Sequence, residues 1–238
     1  MKNIKYVFIM ILCMTLLVGC SKGEESKQNE SNPNKTEPDV DIKTDGEKYQ
    51  STMPAAEADI IANLDIKFEK AKNGDYVMFI TNNNTFVIPD IEISVNFYEN
   101  DSLVDNDKDG HDAILPGYTV VSFFESYESF DKADYDISVE WSNSYENHSD
   151  NVKIDYNLNS SNDCLVTVKN NSDVEIDEIE IIAVFYDKDG NLLGTSYSQD
   201  ITDVGVGKSE TEKLYLRNRG SGIDKVDIYI NQAHTFGL

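Results

Sequence analysis

The chain has 238 residues, with 44 acidic and 20 basic side chains, a formal net charge of −24, and mean hydropathy of −0.45. So acidic a surface repels nucleic-acid phosphates and anionic lipid headgroups, which excludes DNA, RNA and direct headgroup docking and leaves cations as natural partners. Three cysteines give no pair beyond the first twenty residues, so no disulfide framework holds the fold.

In chain order, Lys2 and Lys5 form a positive start. Tyr6 to Val18 is an apolar run too short to span a bilayer, and Gly19 is the small residue before a cleavage point. Residues 1–19 therefore read as a signal peptide. Leu17, Val18, Gly19 and Cys20 resemble the lipobox of bacterial lipoproteins. That resemblance implies a diacylglyceryl group on Cys20, which becomes the new N-terminus, and an address at the outer face of the cell membrane. Two acyl chains meet the requirement for stable anchoring. Loss of Lys2 and Lys5 leaves 18 basic against 44 acidic side chains.

Residues 20–57 carry the anchor and a linker. Ser21 to Lys48 has almost no large apolar side chain and cannot bury enough surface to fold. As a flexible coil its 28 residues span roughly 30 Å. Met53 to Asn63 then offers a short helix entering the first folded unit.

From Ile66 the sequence repeats. Ile66–Tyr98 aligns with Ile154–Tyr186 without a gap, at an offset of 88, with ten identities in 33 positions. Asp75 meets Asp163, Asn82 and Asn83 meet Asn170 and Asn171, and Phe97, Tyr98 meet Phe185, Tyr186; further on, Gly117 meets Gly207. The repeat divides the chain into a first unit at 58–149 and a second at 150–238.

Each unit reads as strands. Ile91, Ile93, Val95 and Phe97 alternate with polar residues at period two. In the second copy Ile182 and Val184 also make the opposite face apolar, which implies a cover over it. Tyr76–Thr81 and Cys164–Lys169 end in Asn-Asn, a pair suited to positive φ and a tight turn. Asp187 to Gly190 reads as a hairpin turn, and further strands fall at Thr119–Tyr127, Tyr135–Trp141, Ser209–Arg217 and Lys225–Asn231. The fold class is all-β, as two tandem antiparallel sandwiches. Cys164, at a strand start, reads as a small packed hydrophobe.

Asn170, Asn171, Ser172, the strand through Ala183, Val184, Phe185, Tyr186, Asp187, then Asp189, Gly190 and Gly207 resemble the FxLYD-type domain of bacterial lipoproteins. The resemblance covers both copies. It implies an Ig-like or fibronectin-like fold at the cell surface, and no catalytic residues.

The densest polar cluster is Asp105-Asn-Asp107-Lys-Asp109-Gly-His-Asp112. Alternate acids followed by Gly match the first half of a calcium loop, and Asp105, Asp107, Asp109 and Asp112 are the candidate ligands for weakly held Ca²⁺. Pro116 stands where the closing Glu of an EF-hand belongs, so an acidic connection bathed in water is the alternative. His111, His148 and His234 lie in polar segments without zinc-ligand spacing, and no nucleophile elbow, phosphate loop or dinucleotide fingerprint occurs. The chain reads as a non-enzyme.

Tyr118, Phe123, Phe124, Tyr127, Phe130, Tyr135 and Trp141 crowd the end of the first copy. Exposed members suit glycan stacking or a protein hot spot. Phe123 and Phe124 are adjacent, so one must face outward, onto the other unit or onto a partner. Trp141 reads as a plug between the units. The functional expectation is a membrane-anchored binding module for an envelope or extracellular protein or glycan. A Ca²⁺-dependent structural module and an envelope hydrolase are the alternatives.

Overall fold

The computed structural model describes residues 55–141, 145–159, 163–219 and 221–236. The predicted signal peptide, Cys20 and nearly all of the linker lie outside the described residues. Among those described, no helix is long and apolar enough to cross a membrane.

The protein is all-β, built from antiparallel sheets. The expected entry helix forms as α1 (Glu57–Ala62). It buries Ile60 against the first core, and Glu57 Oε1 accepts the Val139 N–H at 3.0 Å. The first half follows as β1 (Leu64–Lys70), β2 (Tyr76–Asn82), β3 (Ile88–Glu99), β4 (Ser102–Ile114), β5 (Thr119–Phe124) and β6 (Lys132–Glu140). These make one sheet in the order β1-β2-β5 and a second in the order β4-β3-β6. Met78, Ile80, Val120 and Phe124 from the first meet Ile91, Ile93, Val95 and Phe97 from the second. The period of two in β3 is what delivers that row to one face.

The second half comprises β7 (Tyr145–Asn147), β8 (Val152–Leu158), β9 (Cys164–Asn170), β10 (Ile176–Asp187), β11 (Leu192–Thr195), β12 (Gln199–Val204), β13 (Ser209–Leu214) and β14 (Ile223–Phe236). Its sheets are β13-β9-β8 and β11-β10-β14-β7, with β12 also on β10. Ile154, Val166 and Val168 pack there against Ile179, Ile181 and Phe185. β7, which precedes residue 150, pairs with β14 of the second half.

The Asn-Asn pairs work differently from expectation. None of Asn82, Asn83, Asn170 or Asn171 has positive φ. Instead Asn82 is fully buried. Its Nδ2 donates to Phe86 O and Ile114 O at 3.0 and 2.9 Å, and its Oδ1 accepts Asn84 N–H at 2.9 Å. Asn170 repeats the pattern with Val174 O, Val204 O and Ser172 N–H. Gly117 and Gly207, at φ 76° and 70°, donate N–H to the carbonyls of Asn82 and Asn170 respectively. An amide with two donors and an acceptor satisfies backbone groups where the strand stops, which a hydrocarbon side chain cannot do.

Two expectations about apolar surface resolve at the join of the halves. Ile182 and Val184 are covered: with Leu192 and Tyr229 they pack on Ala71, Val77, Phe79 and Val121, the outer face of β1-β2-β5. Phe124 enters the first core, and Phe123 turns outward onto this join. Trp141 is not the plug; it packs on the rim of the first core, edge-on to Phe86 with ring centroids 6.3 Å apart.

A candidate binding surface at the join between the halves

The join is stitched by polar groups as well as hydrocarbon. Asn231, on β14, accepts Val121 N–H through Oδ1 at 2.9 Å and donates through Nδ2 to Val121 O at 3.0 Å. The side chain thus pairs with both outward backbone groups of Val121 on β5's outer edge, as a residue of a further strand would. The loop after β1 treats β11 the same way, with Lys72 and Asn73 N–H groups donating to Leu192 O and Leu193 O. Asn73 lies against Gly194, whose φ is 145°, and a Cβ there would stand 2.6 Å from Asn73 Nδ2. Lys72 Nζ also pairs with Asp187, and this contact is the first cause holding the Asp187 carboxyl below the usual range.

At one end of the join sits Arg217, just beyond β13, with its side chain 2% exposed. Its guanidinium donates to Asp75 Oδ2 at 3.2 Å and to Glu125 Oε2 at 2.7 Å, both from the first half. Phe123 stacks under it at 3.7 Å from Cζ to ring centroid, and Tyr197 lies 4.7 Å away. Burial raises the Asp75 pKa, and Arg217 and the Asn73 amide oppose that rise. Arg is suited to this position because its charge is permanent and its flat face stacks on rings while its edge serves two carboxylates. The repeat marks what is special here. Asp163, the counterpart of Asp75, pairs within its own half to Lys213 at 2.7 Å, whereas Asp75 is met from the other half.

Around Arg217 the surface is aromatic. Tyr127 is 88% exposed and Tyr197 58%; Tyr197 packs edge-on to Phe123, and Tyr127 Oη donates to Glu125 Oε1 at 2.8 Å. One half supplies Phe123, Glu125 and Tyr127, and the other supplies Tyr197 and Arg217. The sequence showed the aromatic crowding of the first copy but not Arg217 or Tyr197, which come from the other copy and carry no local pattern.

The four aspartates read as calcium ligands lie along strand β4 rather than in a loop. Asp105, Asp107 and Asp109 stand opposite Phe97, Val95 and Ile93, while Asp112 stands opposite Asp90 and projects to the other face of the strand. Residues two apart on a strand are roughly 7 Å apart, so Asp105 and Asp109 are separated by about 13 Å, too far to share a Ca²⁺ bound at ~2.4 Å. Two of them are held by the loop after β5: Asp105 Oδ2 accepts from Ser126 Oγ at 2.8 Å and Asp107 Oδ2 from Glu125 N–H at 3.1 Å. They hold the loop after β5, and hence Tyr127, in place. Asp112 instead joins a row with Asp90 and Glu140 across three strands. Burial first, then repulsion from Asp112, Glu140 and Glu92, pushes Asp90 up to about 6.

One carboxylate group escaped the sequence reading: Glu175, Asp177 and Asp203 bring oxygens within 4.8 Å of one another. They come from separate strands and the turn before β10, so no linear spacing reveals them. Asp177 Oδ2 accepts Phe236 N–H at 2.6 Å.

The histidines, expected in polar segments, are all buried. His111 Nε2 shares a 2.7 Å hydrogen bond with Ser122 Oγ, and His148 Nε2 lies 3.4 Å from Thr235 Oγ1. Burial, and to a lesser degree the nearby His148, lower His234 to about 4. Cys164 is fully buried and burial pushes its thiol up to about 12, consistent with a packing role.

No family model matches the chain, and no curated protein and no solved structure matches it.

Proposed function

We propose that this chain is a lipid-anchored, extracytoplasmic binding protein, whose two Ig-like β-sandwich domains of FxLYD-like type present a non-catalytic recognition surface near the membrane. Acylated Cys20 holds the N-terminus in the bilayer, and the linker lets the folded part reach partners in the envelope. The observation that carries the reading is the aromatic rim over Arg217. Tyr127 and Tyr197 come from different halves and leave large ring areas in water beside a fixed guanidinium and carboxylate. Tyr, Phe and Arg around a desolvated centre are the composition of protein hot spots, and rings of this kind also stack on sugars. The partner is an envelope or extracellular protein or glycan.

Two experiments separate the parts of this reading. Mass spectrometry of the mature protein and of Cys20→Ala should show acylation in the first alone; an unmodified N-terminus in both removes the anchor. Capture from solubilised envelopes with a soluble chain starting at Gln50 should retain the same ligand repeatedly. Tyr127→Ala with Tyr197→Ala should weaken retention about tenfold or more, the loss expected for a hot-spot pair. Equal retention by the double variant rules out the rim as the recognition surface.

A further inference from the structure

The internal repeat allows each residue of the join to be compared with its counterpart on the molecule's two outer faces. The join is heterologous: the outer face of β1-β2-β5 in the first copy docks on the outer face of the β10 sheet in the second. Both surfaces have counterparts. The β13-β9-β8 sheet is the second copy's version of the first surface, and β4-β3-β6 is the first copy's version of the second. A heterologous contact between repeated units propagates head to tail unless something closes or blocks it.

Most of the counterparts are polar; Leu165 and Leu103, which answer to Val77 and Leu192, are exposed exceptions. Phe79 and Val121, directly paired between β2 and β5, become Thr167 and Thr211, directly paired between β9 and β13 and hydrogen-bonded through their hydroxyls at 2.8 Å. Phe123 becomes exposed Lys213. On the other surface Ile182 and Val184 become Ser94 and Asn96. Tyr229, paired with Ile182, becomes exposed Asp136, paired with Ser94. The strand registers match in each case, so backbone geometry suited to docking persists while the larger part of the apolar surface that drives it is replaced.

We infer that docking of a β2-type outer face on a β10-type outer face is a repeatable interface. Polar side chains at Ser94, Asn96 and Asp136, and at Thr167, Thr211 and Lys213, stop a second copy of this chain from adding to either end. Any additional partner at these outer faces has to be recognised mainly by polar chemistry, because the central hydrocarbon pairs used at the join, Phe79 with Val121 and Ile182 with Tyr229, are replaced on both.

Reciprocal exchange tests this in the soluble chain from Gln50 onward. One variant carries join residues on the β3 face (Ser94→Ile, Asn96→Val, Asp136→Tyr), and another carries them on the β9 face (Thr167→Phe, Thr211→Val, Lys213→Phe). In analytical ultracentrifugation each alone should sediment as a monomer and their mixture as a one-to-one dimer. The six changes together should give chains that lengthen with concentration. Monomers in the mixture, with both variants shown folded by circular dichroism, overturn the inference. Self-association of either variant as strong as the mixture also overturns it, because generic stickiness then suffices. The opposite exchange covers the case of a variant that does not fold. Phe79→Thr, Val121→Thr, Ile182→Ser and Val184→Asn should part the halves, with an enlarged radius of gyration in solution scattering and two unfolding transitions in place of one. A compact particle with a single transition also overturns the inference.

Discussion

His234 makes the fold sensitive to mild acid. Its ring is 2% exposed, and burial together with His148 lowers its pKa to about 4 from 6.5. The folded state therefore holds the neutral ring, while an unfolded chain protonates it near pH 6.5. The stability this contributes is fully present above pH 6.5 and is lost as pH falls toward 4. A fall from 6.5 to about 4 corresponds to roughly 2–3 kcal/mol between pH 7.5 and 4.5. Asp90 works in the opposite sense in the same window: its raised pKa, about 6, makes the folded state the better proton acceptor. Asp90 is only partly buried, and screening leaves that contribution on the order of 1 kcal/mol. Wild-type stability alone therefore confounds the two, and the informative quantity is a difference. Urea unfolding, followed by the fluorescence of Trp141, is measured for wild type and His234→Gln at pH 7.5, 6.0 and 4.5. The variant's stability relative to wild type should rise by roughly 2–3 kcal/mol from pH 7.5 to 4.5, whatever its value at pH 7.5. A difference that stays constant with pH refutes the assignment of a buried neutral imidazole.

Other perturbations probe the join and the second core. Arg217→Ala leaves two acids, Asp75 and Glu125, without their cation and should cost about 3–5 kcal/mol in urea unfolding. Arg217→Lys keeps the charge but loses the stacked, forked geometry, and a cost of about 1–2 kcal/mol separates shape from charge. Gly194→Ala forces a side chain into φ 145° and onto Asn73, and should lower stability by about 2 kcal/mol or more; Asn73→Ala in the same chain should recover only the steric share. Cys164 should resist a thiol reagent at pH 8 in the native protein and react at once in denaturant, since its thiol is fully buried with a pKa pushed up to about 12. Rapid native labelling contradicts that placement.

Periodicity was a sound guide where one strand's burial depended on its own half. The alternation in Ile91–Phe97 marked the first core, and the doubly apolar stretch around Ile182 and Val184 signalled a cover without naming it. The adjacent pair Phe123 and Phe124 likewise declared two environments. At β4 the local motif is ambiguous. Alternating acids with a Gly look alike in a calcium loop and in a strand whose acids project beyond the core, and only the pairing with β3 distinguishes them. The Asn-Asn pairs stand at strand ends for a different cause, because the hydrogen bonds from Asn82 to Ile114 O and from Asn170 to Val204 O span more than thirty residues and leave no local trace.

From its residues alone the protein declares an all-β fold, an internal repeat, and the strands that carry each hydrophobic row. Those properties follow from spacing along one segment, and a period of two is fixed by backbone geometry wherever the segment ends up. Tertiary structure alone decided which repeated face is covered and which is wet, where Arg217 finds Asp75 and Glu125, and how Tyr127 comes to share a rim with Tyr197. These depend on groups brought together from different strands and different copies, whose proximity is set by packing between sheets rather than by their separation in the chain.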